Sequence, residues 1–178
     1  MVMKFSLYFL IVSVFVLFAC NDDASNVKEE QVKWTKDHSV ALGKSLAQEE
    51  DIMIRLFLKQ RPNWDVEHSG TGLRYWVYES KGDRKPEEGE KVDVILEVRL
   101  LDDSLCYKTD EGELNTFLVD KSNVESGVQE GVKYMGVGDK AKFIIPSHLG
   151  HGLVGDLDKI PPLQVLIVDI ELVAIYKP

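Results

Sequence analysis

The period of the apolar positions changes along this chain, and each change marks a different kind of segment. Phe5 to Phe18 is a largely apolar run with no charge, behind one basic residue, Lys4. Asn21 to Gln31 is polar and acidic with no apolar period, the pattern of a flexible tether. From Ser39 to Gln60, Leu42, Leu46, Met53, Leu56 and Phe57 recur mostly at spacings of three and four, with charges on the other side. That spacing predicts an amphipathic helix. Ser39 is placed to cap it. Arg61-Pro62 is placed to stop it, because proline disfavours helical backbone in the residue before it. Such a helix must pack on something, either the domain's own sheet or, as a dimer-forming arm, a second copy.

After the polar stretch Asn63 to Gly72 the period falls to two. Leu73-Arg74-Tyr75-Trp76-Val77-Tyr78 alternates as a strand. A turn-rich stretch through Gly82, Pro86 and Gly89 leads to a second strand, Lys91 to Leu101, with Val92, Val94, Leu96 and Val98 on one face. Asn115 to Val119 reads as short and extended. Val124, Val128, Gly131, Val132 and Met135 suit a single short helix. Lys140 to Pro146 and Gln164 to Tyr176 close the chain as strands, the last apolar on both sides near its middle and so buried there. Strands, one helix, then strands again predict an antiparallel α+β domain rather than a parallel α/β sheet.

Length and charge narrow the field. The 178 residues suit one core-bearing domain with appendages, and a hydrophobic fraction of 44% argues against disorder. The formal net charge is -9. That balance argues against nucleic acid as a partner, since no basic patch is available to displace counterions from phosphates.

The first apolar run is too short to span a bilayer comfortably, and it closes in Leu17-Phe18-Ala19-Cys20. This resembles a bacterial lipobox, which implies cleavage before Cys20 and diacylglycerol on its thiol. An ordinary secretory peptide with an incidental Cys20 is the alternative. Asn21-Asp22-Asp23 resembles the acidic export tag of Bacteroidetes surface lipoproteins. The resulting division is a signal peptide over 1–19, a tether over 20–38, a helix over 39–62 and a folded domain over 73–176. The only other cysteine is Cys106. With Cys20 acylated no disulfide is possible, and the leftover thiol is expected to be buried.

Three stretches carry a resemblance across roughly Gly72 to Tyr176. They are Gly127-Val128-Gln129-Glu130-Gly131-Val132 with the turn Gly136-Val137-Gly138-Asp139, the strand Lys140-Ala141-Lys142-Phe143-Ile144-Ile145-Pro146, and His151-Gly152 followed by Ile160-Pro161-Pro162 and Leu166 to Leu172. In this order and spacing they resemble the FKBP-type peptidyl-prolyl cis-trans isomerase domain. The pairing with a lipoprotein tether and a helix is similar to the gliding-motility-associated isomerase lipoproteins of Bacteroidetes. The fold implied is a twisted antiparallel sheet wrapped around one short helix, here with an additional N-terminal amphipathic helix. The site implied is a shallow apolar bowl between helix and sheet.

Carried onto this sequence, the resemblance puts the bowl's first-strand tyrosine at Leu96 and a Phe-Asp pair at Cys106 and Tyr107. The Val-Ile pair at the start of the helix falls at Val124 and Glu125, so the backbone donor to a substrate carbonyl is the Glu125 amide. The floor tryptophan falls at Val128, the loop tyrosine at His151, the loop isoleucine at Ile160 and the closing-strand phenylalanine at Val168. Aliphatic residues thus replace aromatics at most wall positions, with Phe117, Tyr107 and Tyr134 as candidates to restore aromatic surface. His38, His68, His148 and His151 invite a metal reading, but no nearby cysteine or carboxylate pair completes a ligand set. No phosphate-binding glycine loop and no Gly-x-Ser-x-Gly elbow occurs, and no cofactor is expected. Trp34, Trp64 and Trp76 read as packing residues. The expected function is a prolyl isomerase that is lipid-anchored through Cys20 in the cell envelope, at the outer membrane, and acts on proline-containing exported polypeptides. The alternative is a weakly active or inactive FKBP-like binding module of a gliding or secretion apparatus.

Overall fold

The structure is a computed structural model that describes residues 35–177. The apolar leader run, Cys20, the acidic tether and Trp34 lie outside the described residues.

Helix α1 spans Lys36–Lys59, so Ser39 lies inside its first turn rather than at its cap. Asp37 in that first turn and Lys59 in the last both suit the helix dipole. Its docked face is Glu50, Ile54 and Phe57, which shares only Phe57 with the stripe read from the sequence. Leu42, Met53 and Leu56 of that stripe, with Ile52, are exposed. The apolar surface of the helix is broader than the strip that fits the sheet, and the exposed part lies beside the docked one. Arg61 closes the end of α1 by stacking its guanidinium 3.6 Å over the Phe57 ring.

Seven strands follow: β1 (Glu67–His68), β2 (Arg74–Glu79), β3 (Lys91–Leu100), β4 (Leu105–Lys108), β5 (Asn115–Leu118), β6 (Lys140–Ile145) and β7 (Leu166–Tyr176). The short helix α2 (Ser126–Val132) lies between β5 and β6, and a 3₁₀ turn covers Ser147–Leu149. All pairings are antiparallel, in the order β1-β2-β6-β7-β3-β4, with β5 also paired to β3. The long β3–β7 ladder runs from Lys91↔Tyr176 to Leu100↔Leu166. The α+β antiparallel expectation holds. β1 and β4 were not legible, being too short to show alternation.

The sheet is apolar on both faces at β6 and β7, for two separate reasons. On the inner face α2 brings Val128 and Val132 into one core with Val92, Val94, Phe143, Ile145, Val168 and Leu172. On the outer face α1 brings Ile54 and Phe57 onto Ile144, Val165 and Ile167. Trp64 packs in this second cluster, meeting Phe57 edge-on and Trp76 at a tilt. Burying Ile54 and Phe57 stabilises the docked helix by about 1.5–3 kcal/mol each. α1 therefore packs on the domain's own sheet, as the first of the two expectations had it.

α2 rests flush on β6 because two of its positions have no side chain. A Cβ at Gly127 would meet Ile145 at 2.4 Å, and one at Gly131 would meet the Phe143 ring at 2.4 Å. The glycines thus fix how close the helix comes to the sheet, and with it the depth of the space beside Val128.

Candidate active site

A cavity of about 310 Å³ opens between α2, the sheet and the loop that precedes β7. Val128 is its floor, 2% exposed. Leu96 and Val98 from β3, Leu166 and Val168 from β7 and Ile160 from the loop form apolar walls. Tyr107 and Lys108 from β4, Asn115 from β5 and Glu125 before α2 add a polar side. Alternation places the wall residues: Leu96 and Val98 share one face of β3, and Leu166 and Val168 share one face of β7.

The nine residues expected at the site do not all gather there. Leu96, Tyr107, Glu125, Val128, Ile160 and Val168 line the cavity. Cys106 instead belongs to the core, with its thiol against the carbonyls of Ser104 and Lys159 at 3.9 and 3.8 Å. Burial pushes that thiol's pKa up, so it is a poor nucleophile. Val124 lies on the other flank of the α2 start, toward Gln129 and Leu149. His151 stands at the edge, its Nε2 2.9 Å from Glu125 Oε1. Phe117 is buried in the core, and Tyr134 stacks on Tyr75 at 4.0 Å, so neither adds aromatic surface to the bowl.

Sequence reasoning missed Val98, Lys108, Asn115 and Leu166. Val98 and Leu166 carried a signal, since each lies two residues from an expected wall residue on the same face. Asn115 and Lys108 carried none, because their places depend on how β5 and β4 pair with β3. The Asn115 amide donates to Thr109 Oγ1 at 2.7 Å, and that hydroxyl accepts the Leu96 N–H at 2.9 Å. The polar wall is thereby tied to the apolar one.

The loop side is held by Asp156. Its carboxylate accepts the Tyr107 hydroxyl and the N–H groups of Asp158 at 2.9 Å and Ile160 at 2.7 Å. Burial works to raise the Asp156 pKa, but the Tyr107 hydroxyl, those two N–H donors and nearby His151 outweigh it and hold it at about 2. The hydrogen bond to Asp156, with burial and the neighbouring carboxylates, pushes Tyr107 up to about 12. The phenol thus stays protonated and pins Ile160 against the bowl.

Glu125 precedes α2 without capping it by its side chain; its carbonyl accepts the N–H groups of Val128 and Gln129 at 2.9 and 3.0 Å. Its carboxylate is left to meet His151. Its own N–H makes no hydrogen bond among the described residues. The site therefore offers an apolar floor and walls beside a backbone donor, with no nucleophile on the floor. Among the described residues no cluster of three or more metal-ligating side chains occurs.

A family model described as FKBP-type peptidyl-prolyl cis-trans isomerase matches residues 82–173, just over half of the chain. FkpA of Aeromonas hydrophila is 38% identical over 114 residues, 64% of this chain and 41% of that protein. The probable FkpA of Neisseria meningitidis is 29% identical over 153 residues, covering 85% and 54%. FK506-binding protein 2 of Dictyostelium discoideum is 38% identical over 92 residues, covering 51% and 69%. The crystal structure of FkpA from Escherichia coli superposes with a TM-score of 0.64 at 29% identity, covering 78% of this chain and 64% of that one. The chain spans about half the length, or less, of the FkpA relatives it matches.

Proposed function

The chain belongs to the family of FKBP-type peptidyl-prolyl cis-trans isomerases, and from that premise we propose that it accelerates rotation about X–Pro bonds in exported polypeptides. The observation that carries this reading is the apolar bowl over Val128 with the free Glu125 N–H at its edge. The barrier to rotation is about 18–20 kcal/mol because twisting the amide ends its resonance. The twisted amide is less polar than the planar one, so a dry apolar bowl binds it better. Only such a difference speeds the reaction. The Glu125 N–H holds a flanking carbonyl while the proline ring sits against Val128, Leu96 and Val168. Tyr107 and Asp156 keep Ile160 in the wall, and no proton is transferred.

Location and clients belong to the same proposal. The lipobox-like Leu17-Phe18-Ala19-Cys20 supports a lipid anchor in the cell envelope, at the outer membrane, and the polar stretch after it supports a tethered domain. A domain so placed meets proline-containing polypeptides after export.

One observation favours a second reading. Leu96, Val128 and Val168 are aliphatic where the family resemblance expects aromatic rings, which weakens the grip on a proline ring. In that reading the domain holds partners and rotates them poorly. Proline-limited refolding of a test protein, followed with and without the full chain in detergent, separates the two. A faster slow phase supports the isomerase; a rate equal to the uncatalysed one supports the binding module.

A further inference from the structure

We infer that Glu50 of α1, which lies outside the segment matched to the family, is a positioning residue for the bowl, holding the loop that carries His151 to Glu125. The inference rests on the isomerase reading of the bowl for its catalytic consequence. Glu50 is 5% exposed, and a carboxylate that buried is costly unless its lone pairs are met. They are met by one residue. Ser147, itself 5% exposed, gives Glu50 its N–H at 3.0 Å and its hydroxyl in a shorter contact. Ser147 in turn organises the loop: its carbonyl accepts the N–H groups of Gly150 at 3.0 Å and Gly152 at 2.8 Å, on either side of His151. His151 then reaches Glu125 at 2.9 Å. Hydrogen bonds and one short turn of chain thus connect α1 to Glu125, which lines the bowl.

Two further observations separate this role from mere docking of the helix. Asp51, the neighbour of Glu50, makes its own ion pair with Arg74 of β2, so α1 is fastened to the sheet independently of the loop. Between α1 and the loop lies an apolar cleft of about 380 Å³, with Gly43, Leu46 and Ala47 on one side and Gly152, Leu153 and Leu163 on the other. The helix and the loop are therefore poorly packed against each other there, and the Glu50 carboxylate is the tie that spans the gap.

The test uses the full chain in detergent with Glu50→Ala, Glu50→Gln, Ser147→Ala and the control Asp51→Asn, compared with Glu125→Gln. The His151 ring resonances, followed by NMR, report the bridge to Glu125 whether or not the chain catalyses. They are expected to move toward the Glu125→Gln position in Glu50→Ala and Ser147→Ala, and to stay at the wild-type position in Asp51→Asn, even where Asp51→Asn lowers the unfolding midpoint as much. With a proline peptide, kcat/KM is expected to fall roughly tenfold in Glu50→Ala, the scale of a sub-ångström misplacement, and to recover partly in Glu50→Gln. Wild-type His151 resonances in folded Glu50→Ala or Ser147→Ala would overturn the inference. If Glu50→Ala does not fold, Glu50→Gln and Ser147→Ala decide it. A wild-type chain without isomerase activity would sink the isomerase reading alone, and the His151 resonances would still decide the coupling.

Discussion

His151 Nε2 and Glu125 Oε1 meet at 2.9 Å across the edge of the bowl, joining the loop after β6 to the start of α2. The two side chains are 24% and 30% exposed, so solvent screens the pair. A bridge of that kind contributes at most about 1 kcal/mol. Glu125→Gln keeps the backbone N–H and is expected to leave stability within about 1 kcal/mol of wild type while KM for a proline peptide rises more than kcat falls. Separate measurement of kcat and KM checks this. An unchanged KM would show that the bridge does not shape the bowl.

Asp156 supplies a pH dependence. Its folded pKa, about 2, lies below the ordinary 3.8. The ionised group therefore stabilises the fold above about pH 4, and that contribution disappears as the pH falls toward 2. Asp156→Asn is expected to be less stable at neutral pH and to have a flatter stability curve between about pH 4 and pH 2. Urea midpoints across that range measure it. Parallel curves for the two proteins would refute the assignment.

One substitution, glycine to alanine, is expected to act in opposite directions at two helical sites. At Gly131 the new methyl would lie 2.4 Å from the buried Phe143 ring, an overpacking that costs about 1–3 kcal/mol. At Gly43 a new methyl would meet none of the described residues within 4 Å beyond its own stretch of helix, so alanine only restricts the unfolded chain and stabilises α1 by about 0.5–1 kcal/mol. Thermal or urea unfolding of both variants reads the signs, and a stabilised Gly131→Ala would mean that α2 does not sit flush on β6.

Val128→Phe tests the floor of the bowl. A ring there gives the proline a broader apolar contact, and the cavity of about 310 Å³ has room for part of it. Isomerase activity is expected to rise, with a stability loss inside the roughly 1–3 kcal/mol typical of overpacked cores. Activity and unfolding have to be measured on the same variant. A folded variant with unchanged or lower activity counts against Val128 as a working floor and favours the binding module.

Cys20→Ser tests the anchor. The variant is expected to leave the membrane fraction or to remain unprocessed, because its apolar run alone is too short to hold an acidic domain firmly. Fractionation with mass measurement of the N-terminus checks it, and normal processing with normal membrane partition would rule out acylation.

Much of the architecture was legible because period and order both survive in the sequence. Gln164 to Tyr176 announced a strand buried on both faces, and the cause lay far away in Ile54 and Phe57. Which side of α1 docks was not legible. Leu42, Met53 and Leu56 make the broader stripe, but only the sheet's shape selects Ile54 and Phe57. At the site, Leu96, Val128, Ile160 and Val168 were found from motif order. Asn115 and Lys108 were hidden, because a polar residue at a strand end gives no sign of what it faces until its partner strand is known. Cys106 and Tyr107 were adjacent candidates of equal standing. The bulge between Val98 and Arg99 sets the β3–β4 register and so decides that Tyr107 reaches the cavity.

The docking of α1 on Val165 and Ile167 has a consequence for the order of events in a growing chain. The helix is made early and its landing surface is made last, roughly a hundred residues later, a contact of high sequence separation and so of slow formation. During translation, Ile54 and Phe57 have nothing to close on, while Met53 and Leu56 stay open beside them even in the finished molecule. Until β7 arrives, α1 keeps its whole apolar surface open, the kind of segment that holding chaperones bind and that aggregates when they are absent.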